Sequence, residues 1–141
     1  RGNLIRSLPL LHAELWSEGV VISQGEVRWA ELPDPVGSAP GYRRPIVVVQ
    51  GDPLNRSRIE TVVCVPLTSN LRWADAPGNV LLSERATGLP KESVANVSQI
   101  IALDKSQLGD RVGKLSSSKM RLVLSGIDVM LGRRLPPDPG V

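Results

Sequence analysis

Arg44 and Thr68 are the two side chains whose types and placement point most directly to chemistry. Arg44 closes a Gly/Pro-rich stretch, residues 32–44, just before the apolar run Pro45-Ile46-Val47-Val48-Val49-Gln50. Thr68 closes the next β-branched run, Thr61-Val62-Val63-Cys64-Val65-Pro66-Leu67. If both runs are buried strands and pair antiparallel, the start of the first meets the end of the second. The two residues then stand side by side at the mouth of a groove walled by loops. A guanidinium brings a planar fork of donors suited to phosphate oxygens and base edges, and a hydroxyl beside it can donate and accept. Spacing alone leaves a second reading open, in which both are turn residues with no chemistry.

Composition removes most other catalytic classes. The chain has one histidine, His12, and one cysteine, Cys64. That excludes a two-histidine acid–base pair, a His-rich or Cys-rich metal site and an intrachain disulfide, and a Ser-His-Asp triad has no credible histidine in the core. His12 reads as a surface residue, and Cys64, mid-run in an apolar strand, as a buried structural thiol. Gly37-Ser38-Ala39-Pro40-Gly41 is neither a Walker loop nor a dinucleotide fingerprint. The carboxylates are scattered through loops, so no catalytic pair stands out. Aromatic residues are 3% of the chain, too few for a sheet of stacking platforms. The net charge is +3, and all of it arises between residues 40 and 74, where Arg43, Arg44, Arg56, Arg58 and Arg72 face only Asp52 and Glu60. Such a stripe is either a solvated basic surface or an anion-binding face.

These residues need a scaffold, and 141 residues fit one domain. Residues 1–19 read as a leader of uncertain order, residues 20–132 as the folded domain, and residues 133–141 as a Pro-rich tail expected to be disordered. Arg6, Pro9, His12 and Glu14 interrupt any signal-peptide pattern, no apolar run is long enough to span a bilayer, and lone-cysteine usage points to a reducing cytoplasm. Twelve prolines and thirteen glycines imply many turns and therefore a mostly β domain. Gly25 opens a strand with Val27 and Trp29 on one face. Further strands are expected at residues 45–50, 61–67, 79–82 and 111–115, with one or two over residues 93–103 and with Pro66 marking an edge or a bulge. Residues 104–108 read as one helical turn. Met120, Val123, Leu124, Ile127 and Leu131 follow a helical period after the caps Ser116-Ser117-Ser118, and Gly132 is placed to stop the helix. The expected architecture is a small, twisted, mostly antiparallel sheet or barrel with short helices, closed by a C-terminal helix.

The motifs themselves resemble a known family. Gly37-Ser38, Gly41 and Arg43-Arg44-Pro45-Ile46-Val47-Val48-Val49 are similar to the MazF/PemK (Kid) toxins of toxin–antitoxin modules. So are Asn55-Arg56, Val65-Pro66-Leu67-Thr68-Ser69-Asn70, Gly88-Leu89-Pro90-Lys91-Glu92-Ser93 and Gln99-Ile100-Ile101-Ala102-Leu103-Asp104-Lys105. The resemblance runs in order from about Gly25 to Gly132 and implies a CcdB/PemK-like β-barrel. It implies a metal-independent and cofactor-free endoribonuclease that cuts single-stranded RNA, usually mRNA, at specific sequences. It also implies a homodimer with RNA along its interface, and a MazE-like antitoxin whose acidic tail lies across the same groove.

By that resemblance Arg44 and Thr68 are the catalytic pair. Gly37, Ser38, Arg43, Ser69, Asn70, Ser93 and Gln99 match positions that contact RNA or border it, and the loop over residues 37–43 matches one that antitoxin binding displaces. Two residues depart from the pattern. Ala39 stands where several relatives carry a catalytically important glutamate, which removes a general base. Ile101 stands where many carry arginine, which removes a phosphate contact. The same barrel also occurs in CcdB-like toxins that poison DNA gyrase by binding alone, and this is the alternative reading. The loop over residues 71–77, together with residues 37–43, is where the resemblance places RNA specificity.

Overall fold

The β-branched runs of residues 45–49 and 61–67 form the two central strands, and seven strands are present among the described residues. A computed structural model describes residues 21–33, 37 and 42–134. The leader with His12, the residues Ser38 and Ala39, and the tail from residue 135 onward lie outside the described residues. The strands are β1 (Glu26–Leu32), β2 (Tyr42–Val48), β3 (Thr61–Thr68), β4 (Val80–Leu82), β5 (Ser93–Ala95), β6 (Ile101–Asp104) and β7 (Leu108–Lys114). All their pairings are antiparallel, in the order β4-β5-β3-β2-β1-β7, with β6 paired to β3 alongside β5. Register shifts between β1 and β7 at Val27/Arg28 and Arg28/Ala30 bend the sheet, which curls into a half-barrel. Among the described residues three α-helical segments complete it: α1 (Asp52–Asn55), α2 (Glu84–Thr87) and α3 (Ser117–Met130).

Both faces of the central strands are buried, which is why β2 and β3 read as continuous apolar runs rather than alternating ones. Val47, Val65 and Leu67 join Val27, Leu82, Val97, Met120 and Val123 in a core beneath α3. Ile46, Val48, Val62 and Cys64 join Ala30, Leu32, Leu103 and Leu108 in a second core on the opposite face. Cys64 is fully buried there, and desolvation pushes its thiol pKa up to about 12, so it is the structural thiol its position implies.

Three local features differ from the sequence reading, and a fourth decides between alternatives it left open. Arg44 is not a loop residue: β2 starts at Tyr42, and Arg44 is already in the ladder, opposite Ala30 of β1. Pro66 lies in a central strand, not at an edge or bulge. β3 pairs with β6 as far as Cys64 and with β5 from Leu67, so the missing N–H falls where the partner changes, and the Pro66 carbonyl accepts from the Asn96 N–H at 3.0 Å. Residues 93–103, read as one or two strands, form two, separated by a 3₁₀ turn, Val97–Gln99. The buried carboxylate of Glu26 is no loop acid: it is held by Arg28 at 2.9 Å, by Arg111 at 3.5 Å and by the Ser23 hydroxyl at 3.1 Å, tying β1 to β7.

Helix α3 has the expected N-cap, with the Ser116 hydroxyl accepting the Lys119 N–H, and it ends before Gly132, which has a φ of +76°. Met120 and Val123 are buried and Leu124 and Ile127 pack on the core, whereas Leu131 is 60% exposed. The position that brings the helix close is Gly126. A Cβ there would overlap the carbonyl oxygen of Gly78 in the turn before β4, so glycine is what allows helix and turn to touch.

Candidate active site

The β2–β3 register places the two leading residues. Ile46 faces Pro66, Val47 faces Val65 and Val48 faces Cys64. The β2–β3 ladder ends at Ile46 and Pro66, and the same register continued by two residues would bring Arg44 opposite Thr68. Strand alternation puts both on one face of the sheet, while Arg43, Pro45, Leu67 and Ser69 point to the other. Thr68 is half-buried and has Val94 of β5 on its other side. Its Oγ1 accepts the Asn70 N–H at 3.1 Å. With one lone pair taken, the hydroxyl proton remains for donation toward a bound oxygen.

A cleft of about 240 Å³ opens on the face of Arg43, Pro45, Leu67 and Ser69; Arg44 also lines it, and Thr68 is not among its lining residues. Trp29, Pro45, Leu67, Leu89 and Pro90 give it apolar walls, and Arg43, Arg44, Ser69, Lys91 and Ser93 give it polar groups. None of these lining residues is acidic, so three cationic side chains converge without a competing carboxylate. Arg43 lies over the Trp29 ring, with its Cζ 4.8 Å from the centroid, a cation–π contact that orients the guanidinium. Tyr42, just before it, has a φ of +61°, an uncommon backbone state for an aromatic residue, and it is 65% exposed. The opposite wall hangs from α2. Gly88 ends that helix at a φ of +83°, and a Cβ there would overlap the Val112 carbonyl, so α2 rests directly on β7 and delivers Leu89-Pro90-Lys91 to the cleft.

Residues 23–131 match the family of PemK-like, MazF-like toxins of type II toxin–antitoxin systems. The chain belongs to that family. It is 47% identical over 108 residues to the endoribonuclease MazF6 of Mycobacterium tuberculosis, covering 77% of this chain and 95% of the relative. It is 34% identical over 112 residues to the endoribonuclease MazF of Staphylococcus saprophyticus, covering 79% and 92%. Among solved structures, the chain is similar to an endoribonuclease in complex with its cognate antitoxin from a mycobacterial species. There the TM-score is 0.66 at 24% identity, over 82% of this chain and 99% of that one. At that identity the likeness concerns the fold, and the half-barrel with its C-terminal helix is the PemK-like architecture expected.

The positions matched to the MazF/PemK pattern divide in space. Arg43, Arg44, Ser69 and Ser93 come together at the cleft. Ser93 is buried, and its hydroxyl donates to the Lys91 carbonyl at 3.2 Å. Asn70 caps the 3₁₀ turn Leu71–Asp75, its side chain accepting the Arg72 N–H at 3.3 Å. Gln99 ends the 3₁₀ turn beside α3 and is not among the lining residues. Gly37 is exposed with a φ of +60°, and Ser38 lies outside the described residues. Ile101, where many relatives carry arginine, pairs with Cys64 and packs against the second core.

Two features of the site escaped sequence reasoning. Trp29 and Lys91 line the cleft, and the only signal for Lys91 was its place in the Gly88–Ser93 motif. The arginine stripe is also split by the hairpin: Arg43, Arg44 and Arg72 lie at the cleft end of β2 and β3, while Arg56 and Arg58 follow α1 at the far end.

Proposed function

We infer that this protein is the endoribonuclease toxin of a type II toxin–antitoxin module, cutting single-stranded RNA at specific sequences in the cytoplasm and so inhibiting translation and growth. The observation that supports the reading is a cleft lined by Arg43, Arg44 and Lys91 and by no acidic residue, in a chain 47% identical to a MazF endoribonuclease. The family and the names of the relatives favour this over the gyrase-poisoning alternative.

RNA supplies its own nucleophile. The ribose 2′-OH attacks the adjacent phosphorus, its proton passes to solvent, and the P–O5′ bond breaks as the 5′-oxygen gains a proton. The products are a 2′,3′-cyclic phosphate and a 5′-hydroxyl. Negative charge builds on the non-bridging oxygens of the phosphorane, and the fork of Arg44 is suited to hold it. A guanidinium with a pKa above about 12 is a poor base, so Arg44 stabilises charge and assists the leaving group. Thr68 donates its hydroxyl to a non-bridging oxygen and aligns the phosphate. Arg43, Lys91 and Ser69 hold the flanking backbone, and Ser93, its hydroxyl proton given to the Lys91 carbonyl, fixes the wall that carries Lys91. With Ala39 in place of the glutamate of several relatives, water is the proton acceptor, and the expected rate is modest, since strong acid–base catalysis is worth about 10²–10⁴-fold.

Incubating a defined long RNA with the purified protein in EDTA tests the reading. Cleavage at discrete sites with cyclic-phosphate and 5′-hydroxyl ends is expected, and intact RNA sinks it. The partner is a MazE-like antitoxin with an acidic tail that competes for the same cations, on a toxin that works as a homodimer. An acidic peptide is therefore expected to suppress cleavage, and more weakly as salt rises. In the same series, three to five phosphate contacts give RNA binding a log–log salt slope of roughly −2 to −3.5.

Thr68 separates hydroxyl chemistry from packing. Thr68→Ala is expected to lower the cleavage rate with an unchanged melting temperature, and Thr68→Ser to keep part of the activity. Equal losses in both variants would assign the effect to the methyl group.

A further inference from the structure

The turn that follows Thr68 carries an exposed tryptophan beneath an arginine, and the cleft chemistry does not use it. We propose that Trp73, with Arg72 over its ring, is a nucleobase-stacking station that holds a nucleotide beside the scissile phosphate and so helps determine which RNA sites are cut. This rests on the endoribonuclease reading above.

Trp73 is 42% exposed on the 3₁₀ turn Leu71–Asp75, with the Arg72 Cζ 5.1 Å from its ring centroid. Its backbone is pinned. The Trp73 N–H donates to the Asn70 carbonyl at 3.3 Å, and its own carbonyl accepts the Ala76 N–H at 3.2 Å and the Asn79 side-chain amide at 3.0 Å. Asn70 in turn links the station to Thr68: its N–H donates to Thr68 Oγ1 at 3.1 Å, and its side chain accepts the Arg72 N–H at 3.3 Å. The turn that displays the ring is thus hydrogen-bonded to the residue placed at the reacting phosphate.

The chemistry of that arrangement fits an unpaired nucleotide. A ring on a fixed backbone loses little further freedom when a base stacks on it. An arginine beside it offers a second planar surface and a cation for the neighbouring phosphate. Only unpaired bases present their faces, so the station also selects single-stranded RNA. An acidic peptide would engage the cation but has no use for the face of the ring.

The test compares wild type, Trp73→Ala and Trp73→Phe on one defined RNA, with cut sites mapped and KM and kcat measured at a resolved site. Trp73→Ala is expected to raise KM at least about fivefold. It is also expected to change kcat less and to broaden the set of sites cut, while Trp73→Phe keeps both. With a short RNA carrying a 2′-deoxy group at the cut position, part of the tryptophan quenching seen in wild type disappears in Trp73→Phe, which keeps the proposal testable if the alanine variant does not fold. Unchanged KM and cut sites in Trp73→Ala overturn it, and if only affinity for an acidic peptide falls, the ring is a peptide contact instead. Failure of the wild type to cut any RNA is a different result and removes the endoribonuclease reading itself.

Discussion

Replacing Arg44 with lysine is expected to lower the cleavage rate at least about tenfold while RNA still binds. Lysine keeps the positive charge, so attraction to the phosphate backbone survives. What it loses is the planar fork that reaches two phosphorane oxygens at once, an interaction that strengthens only as charge develops in the transition state. Arg44→Ala removes the charge as well, and a loss of about 10²–10³-fold follows by analogy with deleting a transition-state hydrogen-bond donor. Neither change should unfold the protein, because Arg44 is exposed and its backbone pairing with Ala30 does not depend on the side chain. Single-turnover cleavage and RNA binding, measured side by side, check this. A wild-type rate in Arg44→Lys reduces Arg44 to an electrostatic anchor.

The largest effect on stability is expected at Gly126. Helix propensity alone says that Gly126→Ala should stabilise α3 by about 0.8–1 kcal/mol. The tertiary contact says the reverse, since the new Cβ would overlap the Gly78 carbonyl oxygen, which is backbone and cannot rotate aside. Overpacking of this kind typically costs 1–3 kcal/mol, and the melting temperature is expected to fall by roughly 3–10 °C. The cleft lies on other elements, so cleavage per folded molecule should persist at low temperature. Thermal unfolding followed by circular dichroism decides between the two signs, and a higher melting temperature would mean that helix and turn do not touch in solution.

The apolar runs before Gln50 and before Thr68 were legible as neighbouring strands because a short connection between buried strands leaves antiparallel pairing as the natural outcome. The antiparallel pairing of β2 with β3 follows that inference, with Ile46 facing Pro66 at the end of the ladder nearest Arg44 and Thr68. The 3.6-residue period of Met120, Val123, Leu124 and Ile127 likewise marked α3, because local periodicity reports which face an element buries. Leu122, Val129 and Met130 fall off that stripe. Only Leu122 is largely exposed, and Met130 packs against the core.

Whatever depends on how the sheet curls was hidden. The cleft joins Trp29, Arg43, Leu67 and Lys91, residues far apart in the chain, and their convergence follows from the bulges between β1 and β7 and from the seating of α2 on β7. The +3 stripe looked continuous because charge was counted along the chain, whereas the hairpin sends Arg56 and Arg58 to the opposite end from Arg43, Arg44 and Arg72. Periodicity and connection length are local quantities, so the sequence by itself determined the main strands, the C-terminal helix and the antiparallel pairing of β2 with β3. The shape of the cleft, the close contact of Gly126 with Gly78 and the partner change at Pro66 were decided only by tertiary structure, because each depends on contacts between segments whose separation in the chain says nothing about their distance in space.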